Sequence, residues 1–213
     1  MQNYSCPLCA SRSLGGFAED AARSYWQCGC CELVFVPAEF HLPQADEKAQ
    51  YDLHCNLDEP GYRKFLQRVC TPLLGRLGVA ASGLDFGCGP GPVLATMLRE
   101  RGHSVALYDQ FYFPDKSVLL QSYDFITATE VFEHLQYPQQ EIARLWSCLR
   151  RNGTLAIMTK LVRDRASFAS WHYKTDPTHI IFFSIKTFEF LAAHLQAEVE
   201  FVGSDVILLR KIA

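Results

Sequence analysis

Apolar residues recur along most of the chain with the spacings of regular secondary structure. Between Tyr62 and Leu77 they repeat every three or four positions, which predicts an amphipathic helix that stops at Gly78. Pro72 is expected to bend or break this helix. Short apolar runs then alternate with helical patterns up to a final pair of runs around 203–204, which predicts an antiparallel hairpin. The pattern predicts an α/β fold with a mostly parallel sheet.

The most distinctive stretch follows the first predicted strand of this α/β region. It reads Asp85-Phe86-Gly87-Cys88-Gly89-Pro90-Gly91, with glycine at every second position before a helix begins. Such a loop can approach a ligand closely and present the unpaired amides of the helix start. Its spacing is neither the G-x-G-x-x-G of a dinucleotide-binding turn nor that of a P-loop. We therefore predict a nucleotide-binding loop with an acid ahead of it.

A second acid, Asp109, ends the next apolar run, where a carboxylate can accept both hydroxyls of a ribose. The glycine loop and Asp109 together resemble the first two motifs of class I S-adenosylmethionine (SAM)-dependent methyltransferases. The resemblance to this family extends from Tyr62 to about Lys211. The resemblance implies a Rossmann-like fold and SAM as cofactor. It also implies that the cofactor is bound by Asp85, Gly87, Cys88, Gly89, Gly91, Asp109, Gln110, Glu130, Val131 and Tyr62. For Tyr62 the alternative is packing in the core.

The chain departs from that family after Asp109. Only fourteen residues, 110–123, precede the next strong apolar run, which is too few for a strand, a helix and a return. We expect the third strand to be reduced to a loop through Phe111-Tyr112-Phe113-Pro114. One of these aromatic residues or Asp115 could then hold adenine, although the aromatic residues could equally fill the core.

Candidate catalytic residues follow two later strands. Glu130-Val131-Phe132-Glu133-His134 is similar to a motif of ubiquinone-biosynthesis O-methyltransferases, and it should border the methyl donor because open α/β sheets bind ligands at the carboxyl ends of strands. His134 is either a general base or a residue that orients Glu130. In family members with a stretch like Asp176-Pro177-Thr178-His179, that stretch lies over the acceptor pocket.

We predict His179 as the proton acceptor, because a histidine with a pKa of about 6.5 is suited to accepting a proton at neutral pH. Asp176 would orient it, and Trp171 and Tyr173 would form the substrate wall. The alternative is structural: Asp176 and Thr178 cap a turn, and His179 bonds to the backbone.

Cysteine pairs mark the N-terminal region. Cys6-Pro7-Leu8-Cys9 and Cys28-Gly29-Cys30-Cys31 are separated by eighteen residues, a spacing typical of a four-thiolate zinc ribbon. We predict structural zinc on Cys6, Cys9, Cys28 and Cys31, with Cys30 as an alternative ligand and His41, His54 and Cys55 as spare ones. The expected domains are a ribbon at 1–40, a linker at 41–60 with one helical turn near 46–50, and a SAM-binding domain at 61–213.

Hydrophobicity and charge bear on where the protein is located and on whether it binds nucleic acid. No apolar run in the 213 residues approaches the roughly 20 needed to span a membrane, and the N-terminus lacks a signal-peptide pattern, so we expect a cytoplasmic protein. Residues 1–60 hold three Lys or Arg against nine Asp or Glu, which disfavours nucleic acid without excluding it.

The hypothesis that results is methyl transfer from SAM to an oxygen or carbon of a small molecule by in-line displacement. The alternatives are RNA or protein methylation with the ribbon as reader, and a non-catalytic zinc- and SAM-binding module.

Overall fold

The computed structural model describes residues 4–53 and 57–212, so His54 and Cys55 lie outside the described residues. None of the described helices is long and apolar enough to cross a membrane. The strands are β1 (Leu14–Glu19), β2 (Ser24–Cys28), β3 (Val34–Phe35), β4 (Ser82–Phe86), β5 (Ser104–Tyr108), β6 (Tyr123–Thr129), β7 (Leu149–Met158), β8 (Ile181–Phe182), β9 (Ala197–Val202) and β10 (Val206–Lys211). The α-helices are α1 (Gln44–Tyr51), α2 (Pro60–Leu74), α3 (Val93–Arg99), α4 (Pro138–Cys148), α5 (Arg165–Ala169) and α6 (Ile185–Leu195).

The main sheet has six strands in the order β5-β4-β6-β7-β10-β9. The first four are parallel, and β10 runs antiparallel to both β7 and β9. Apolar side chains alternate between its two faces: Leu155 and Ile157 join the core under α4 and α6, whereas Ala156 and Met158 join the core under α2 and α3. The predicted parallel sheet with a terminal antiparallel hairpin is confirmed.

The connection between β5 and β6 carries no strand. It contains a 3₁₀ helix, Lys116–Leu120, and one isolated bridge between Asp109 and Phe113. β5 is therefore the edge of the main sheet, as the short spacing predicts.

The sequence left open whether Pro72 bends or breaks helix α2. Pro72 does not break α2, because it lies in the last turn and the helix continues to Leu74. The segment 150–153 belongs to β7 and forms an irregularity opposite β6, where pairing jumps from Tyr123–Leu149 to Phe125–Thr154. Asn152 adopts φ 64° at this irregularity, the left-handed backbone that asparagine tolerates.

The N-terminal strands join the methyltransferase-like region through a second sheet, ordered β1-β2-β3-β8. Val34 pairs with Phe182 and Phe35 pairs with Ile181. The segment expected as a linker with one helical turn holds the longer helix α1. The N-terminal strands are thus hydrogen-bonded to the chain segment that follows His179.

Candidate active site

A cavity of about 880 Å³ opens at the carboxyl ends of β4, β5 and β6. All the residues predicted to bind SAM line it, together with His134, Tyr173, Asp176 and His179. Trp171 does not. Its ring packs against Tyr173 at a centroid distance of 5.1 Å, so it supports that residue from behind.

The glycine loop forms one wall of the cavity. Gly87 and Gly89 adopt φ of +70° and +63°, values that favour glycine. A Cβ at Gly87 would lie 2.5 Å from Val131 Cγ2, so no larger residue fits there. The main chain of the loop is consequently exposed to a ligand without intervening side chains.

Asp85 lies at the base of this loop and is 3% exposed. Its carboxylate accepts a hydrogen bond from Thr127 Oγ1 at 2.7 Å. Burial raises the pKa of Asp85 to about 6, against the opposing effect of the Thr127 hydrogen bond. At neutral pH the residue therefore places a negative charge at the cavity.

Asp109 ties two cavity loops together. Its Oδ2 accepts from the amide of Gly89 at 3.0 Å, and its Oδ1 accepts from the amides of Phe111 and Tyr112 at 2.8 and 3.1 Å. Phe111 and Tyr112 line the cavity in place of a third strand. Asp115 instead caps the following 3₁₀ helix by accepting from the Ser117 amide.

Helix α1 lines the cavity from the segment that the sequence presents as a linker. Glu47 and Tyr51 line the cavity, and the Tyr51 hydroxyl donates to Glu47 Oε1 at 2.8 Å. The Tyr51 ring meets the His134 ring edge-on at 5.2 Å. The spacing of Glu47 and Tyr51, one helical turn apart, predicts that they share a helix face, but it does not indicate that this face lines a cavity.

The two candidate histidines lie side by side, with ring centroids 4.7 Å apart. His134 Nδ1 lies 3.1 Å from the Thr178 carbonyl oxygen, and His179 Nδ1 lies 2.6 Å from that of Tyr173. A carbonyl only accepts, so Nδ1 is the donor in both rings and Nε2 carries the lone pair of the neutral form. Burial, reinforced by the charge of His134, lowers the pKa of His179.

Asp176 serves the turn that precedes His179. It accepts from the amide and hydroxyl of Thr178 at 2.8 and 2.6 Å, and its other oxygen lies 3.8 Å from His179 Nε2. Burial alone would raise the pKa of Asp176, but the two Thr178 hydrogen bonds lower it below its usual range. Both features weighed from the sequence are therefore present, the turn cap and the position beside His179.

Two glutamates lie on this side of the cavity: Glu130 lines it, and Glu133, which was missed as a site residue, is buried behind the lining. Glu133 is fully buried beneath the wall, where Thr159 Oγ1 donates to it at 2.9 Å and the Tyr173 hydroxyl also donates. Glu130 has φ 52°, a strained conformation for a non-glycine residue at the end of β6. Burial and the neighbouring Glu133 charge raise the pKa of Glu130 to about 8.

The N-terminal region holds the segment before His179 through one buried arginine, which lies between β1 and β2. Arg23, 7% exposed, donates from its guanidinium to the carbonyl oxygens of Lys174, Asp176 and Pro177 at 2.5, 2.9 and 3.2 Å. Asp20 pairs with the Lys174 ammonium at 2.5 Å. No sequence motif marks Arg23, because its partners are distant carbonyl groups.

The four predicted metal-binding thiols converge. The sulfur atoms of Cys6, Cys9, Cys28 and Cys31 all lie within 4.8 Å of one another. Cys30 is exposed and outside this cluster, and His41 bonds to the Val36 carbonyl instead. Four thiolates in this arrangement fit a closed tetrahedral site.

Residues 61–200 match a family model described as a methyltransferase domain, and the chain belongs to this family. It is a SAM-dependent methyltransferase of the class I, Rossmann-like type. A comparison with curated proteins gives no significant match.

Among solved structures, the chain is similar to Burkholderia thailandensis 1,6-didemethyltoxoflavin-N1-methyltransferase with bound 1,6-didemethyltoxoflavin and S-adenosylhomocysteine. That match has a TM-score of 0.55 and 16% identity, and it covers 93% of this chain and 99% of that one. An O-methyltransferase family protein from the same organism matches with a TM-score of 0.50 and 13% identity, over 83% of this chain and 62% of that one.

Proposed function

We propose that this protein transfers the methyl group of SAM to an oxygen or carbon of a small-molecule acceptor by in-line displacement. The observation that carries the proposal is a single cavity with a glycine loop and two acids at one end and a pair of histidines at the other. The Burkholderia neighbour, whose structure holds a small acceptor beside S-adenosylhomocysteine, supports a small molecule.

The cofactor end of the cavity fits SAM. Asp85 supplies a negative charge for the ammonium group, and Asp109 supplies carboxylate oxygens near the ribose position. Phe111 and Tyr112 offer aromatic surfaces for adenine, while the main chain of the glycine loop leaves space between the acids. When bound, SAM supplies an electrophilic methyl carbon on a positively charged sulfur.

The acceptor end is suited to removing a proton. The hydrogen bond from His179 Nδ1 to the Tyr173 carbonyl leaves Nε2 to accept a proton, and the lowered pKa keeps the ring neutral at pH 7. Asp176 and His134 would position this ring. The main task of the chain remains to hold the acceptor in line with the methyl group.

We further propose that Cys6, Cys9, Cys28 and Cys31 hold one structural zinc ion. Four thiolates leave no open coordination position, so this metal would stabilise the fold and not take part in methyl transfer. Since the ribbon contacts the His179 segment through Arg23 and β8, the zinc would support the acceptor side indirectly.

Calorimetric titration with SAM tests the cofactor assignment, and Asp109→Ala should weaken binding by about tenfold or more because a charge-assisted contact is lost. Absence of heat with the wild type would refute the assignment. Tritium from methyl-labelled SAM should then enter the small-molecule fraction of a cell extract. Label found in RNA or protein alone would favour the alternative acceptors, and no label with intact SAM binding would favour a non-catalytic module.

A further inference from the structure

We infer that Glu133, His134 and His179 form a binding site for one divalent transition-metal ion on the acceptor side of the cavity, separate from the cysteine cluster. One carboxylate oxygen and one ring nitrogen from each histidine lie within 4.8 Å of one another. Bonds of about 2.0–2.2 Å from a tetrahedral ion to nitrogen and oxygen place the ligand atoms about 3.3–3.6 Å apart, so ion binding would draw the three side chains together by rotation.

The hydrogen bonds around these side chains are those that metal ligands typically have. Each histidine donates from Nδ1 to a backbone carbonyl, which fixes the ring and directs Nε2 as the ligating atom. The Glu133 carboxylate is held by Thr159 and Tyr173, in the way that ligating carboxylates are themselves hydrogen-bonded. The three side chains are therefore already oriented by partners outside the cluster.

Several acidic side chains surround the cluster. Glu130 and Asp176 line the same cavity beside it, and Glu133 is fully buried. Among the described residues no Lys or Arg forms a direct ion pair with any of these three acids, although the charges of Lys160 and Arg68 act on Glu130 from a greater distance. Lys160, which also lines the cavity, instead places its ammonium 3.0 Å from His172 Nε2. A divalent ion at the cluster would bind Glu133 as the ionised carboxylate, the form in which a carboxyl group acts as a metal ligand.

The donor set determines the kind of ion. Two imidazoles and one carboxylate favour manganese, iron, nickel or zinc over calcium or magnesium, which prefer oxygen alone. Three protein ligands leave coordination positions open toward the cavity, unlike the four-thiolate cluster. Those open positions could bind a hydroxyl of the acceptor.

The catalytic role of this ion rests on the proposed function. An ion at this position lowers the pKa of a bound acceptor hydroxyl, whose proton leaves to solvent water. The oxygen then forms a bond to the methyl carbon, the carbon–sulfur bond breaks, and its electron pair stays on sulfur as the neutral thioether. In that case His179 serves as a ligand and not as the general base, and a hydroxylated acceptor is the expected substrate class.

The test is a titration of the zinc-containing full chain with Mn²⁺, followed by the electron paramagnetic resonance signal of the free ion. Mn²⁺ is the probe because thiolates bind it poorly, so the cysteine cluster does not compete. We expect one Mn²⁺ per wild-type chain. Glu133→Gln and His179→Asn should each weaken binding by about tenfold or more, since each removes one of three ligands.

Two matched controls share the chemistry but lie outside the cluster. Glu141→Gln removes another carboxylate of the same cavity, and His172→Asn removes an exposed histidine of the same segment. Both should bind Mn²⁺ within about twofold of the wild type. Weakening by Glu141→Gln equal to that by Glu133→Gln would indicate general attraction by an acidic cavity and would overturn the site.

SAM titration of every variant separates the two proposals and reports folding. SAM binding without Mn²⁺ binding in the wild type refutes the metal site alone, whereas Mn²⁺ binding without SAM binding refutes the proposed function alone. His134→Asn provides a third ligand variant if Glu133→Gln does not fold, and unchanged Mn²⁺ affinity in the folded ligand variants would also refute the site.

Discussion

Replacing Arg23 with methionine should loosen the acceptor side of the cavity while leaving the SAM side intact. The guanidinium donates three hydrogen bonds to carbonyl oxygens of 174–177, and methionine keeps much of the apolar stem but none of the donors. Hydrogen bonds that involve a charged group contribute about 1.5–3 kcal/mol each, and relief of the buried charge offsets part of their loss. We therefore expect a cost of about 3 kcal/mol.

The loss should appear as local opening of the segment before β8. The amide of Ile180 bonds to the Glu133 carbonyl at 2.9 Å, so its hydrogen exchange reports whether this segment is docked. A cost of about 3 kcal/mol corresponds to roughly a hundredfold faster exchange of that amide. Amides in α3, beside the glycine loop, should exchange as in the wild type, and the SAM affinity should be unchanged.

Arg12→Met is the matched control, because Arg12 is an exposed residue of the same ribbon and the change in charge is identical. Its free energy of unfolding in urea should stay within about 0.5 kcal/mol of the wild type. The reasoning is refuted if Arg23→Met and Arg12→Met show the same exchange rate at Ile180. It is also refuted if exchange in Arg23→Met accelerates equally across the whole chain.

Three further predictions concern Asp85, the cysteine cluster and strand β4. SAM affinity should fall about tenfold per pH unit below pH 6, because protonation removes the Asp85 charge, and calorimetry of Asp85→Asn should show no such dependence. Cys9→Ser should lose zinc in metal analysis and unfold at a lower urea concentration, whereas Cys30→Ser, outside the cluster, should retain both zinc and stability. Gly83→Ala should destabilise the fold by about 2–3 kcal/mol in urea titration, since its Cβ would lie 2.1 Å from the ring of Phe125 in β6. Gly61→Ala is the control and should leave the stability unchanged, because a Cβ there has no neighbour within 4 Å. Equal effects of the two cysteine variants, or of the two glycine variants, would contradict these arguments.

Much of the cofactor side could be predicted from the sequence, because its signals are local. The glycine loop and Asp85 lie within seven residues, and Asp109 follows at the end of the next apolar run. Their positions at one sheet edge then follow from the rule that parallel strands place their carboxyl ends together. The loss of the third strand was likewise predictable, because the segment 110–123 is too short to hold a strand, a helix and a return.

The acceptor side depended on the tertiary structure. Nothing in the spacing of Glu133 distinguishes it from a solvent-exposed glutamate, and only the docking of the Tyr173–His179 segment brings His179 beside it. Arg23 and the cavity role of α1 were missed for the same reason, since the partners of Arg23 and Tyr51 are far away in the chain. Trp171 packs behind Tyr173 and does not line the cavity, a difference that the sequence does not reveal because an aromatic residue in either position gives the same pattern.

The sequence by itself thus determined the parallel sheet, the nucleotide-binding loop and the paired cysteines, because periodicity and short-range spacing encode local geometry. The tertiary structure alone decided which distant segments meet: the ribbon with the His179 segment, α1 with the cavity, and Glu133 with the two histidines. Such contacts depend on the complementary packing of surfaces from separate elements, and no local pattern of residues specifies that packing.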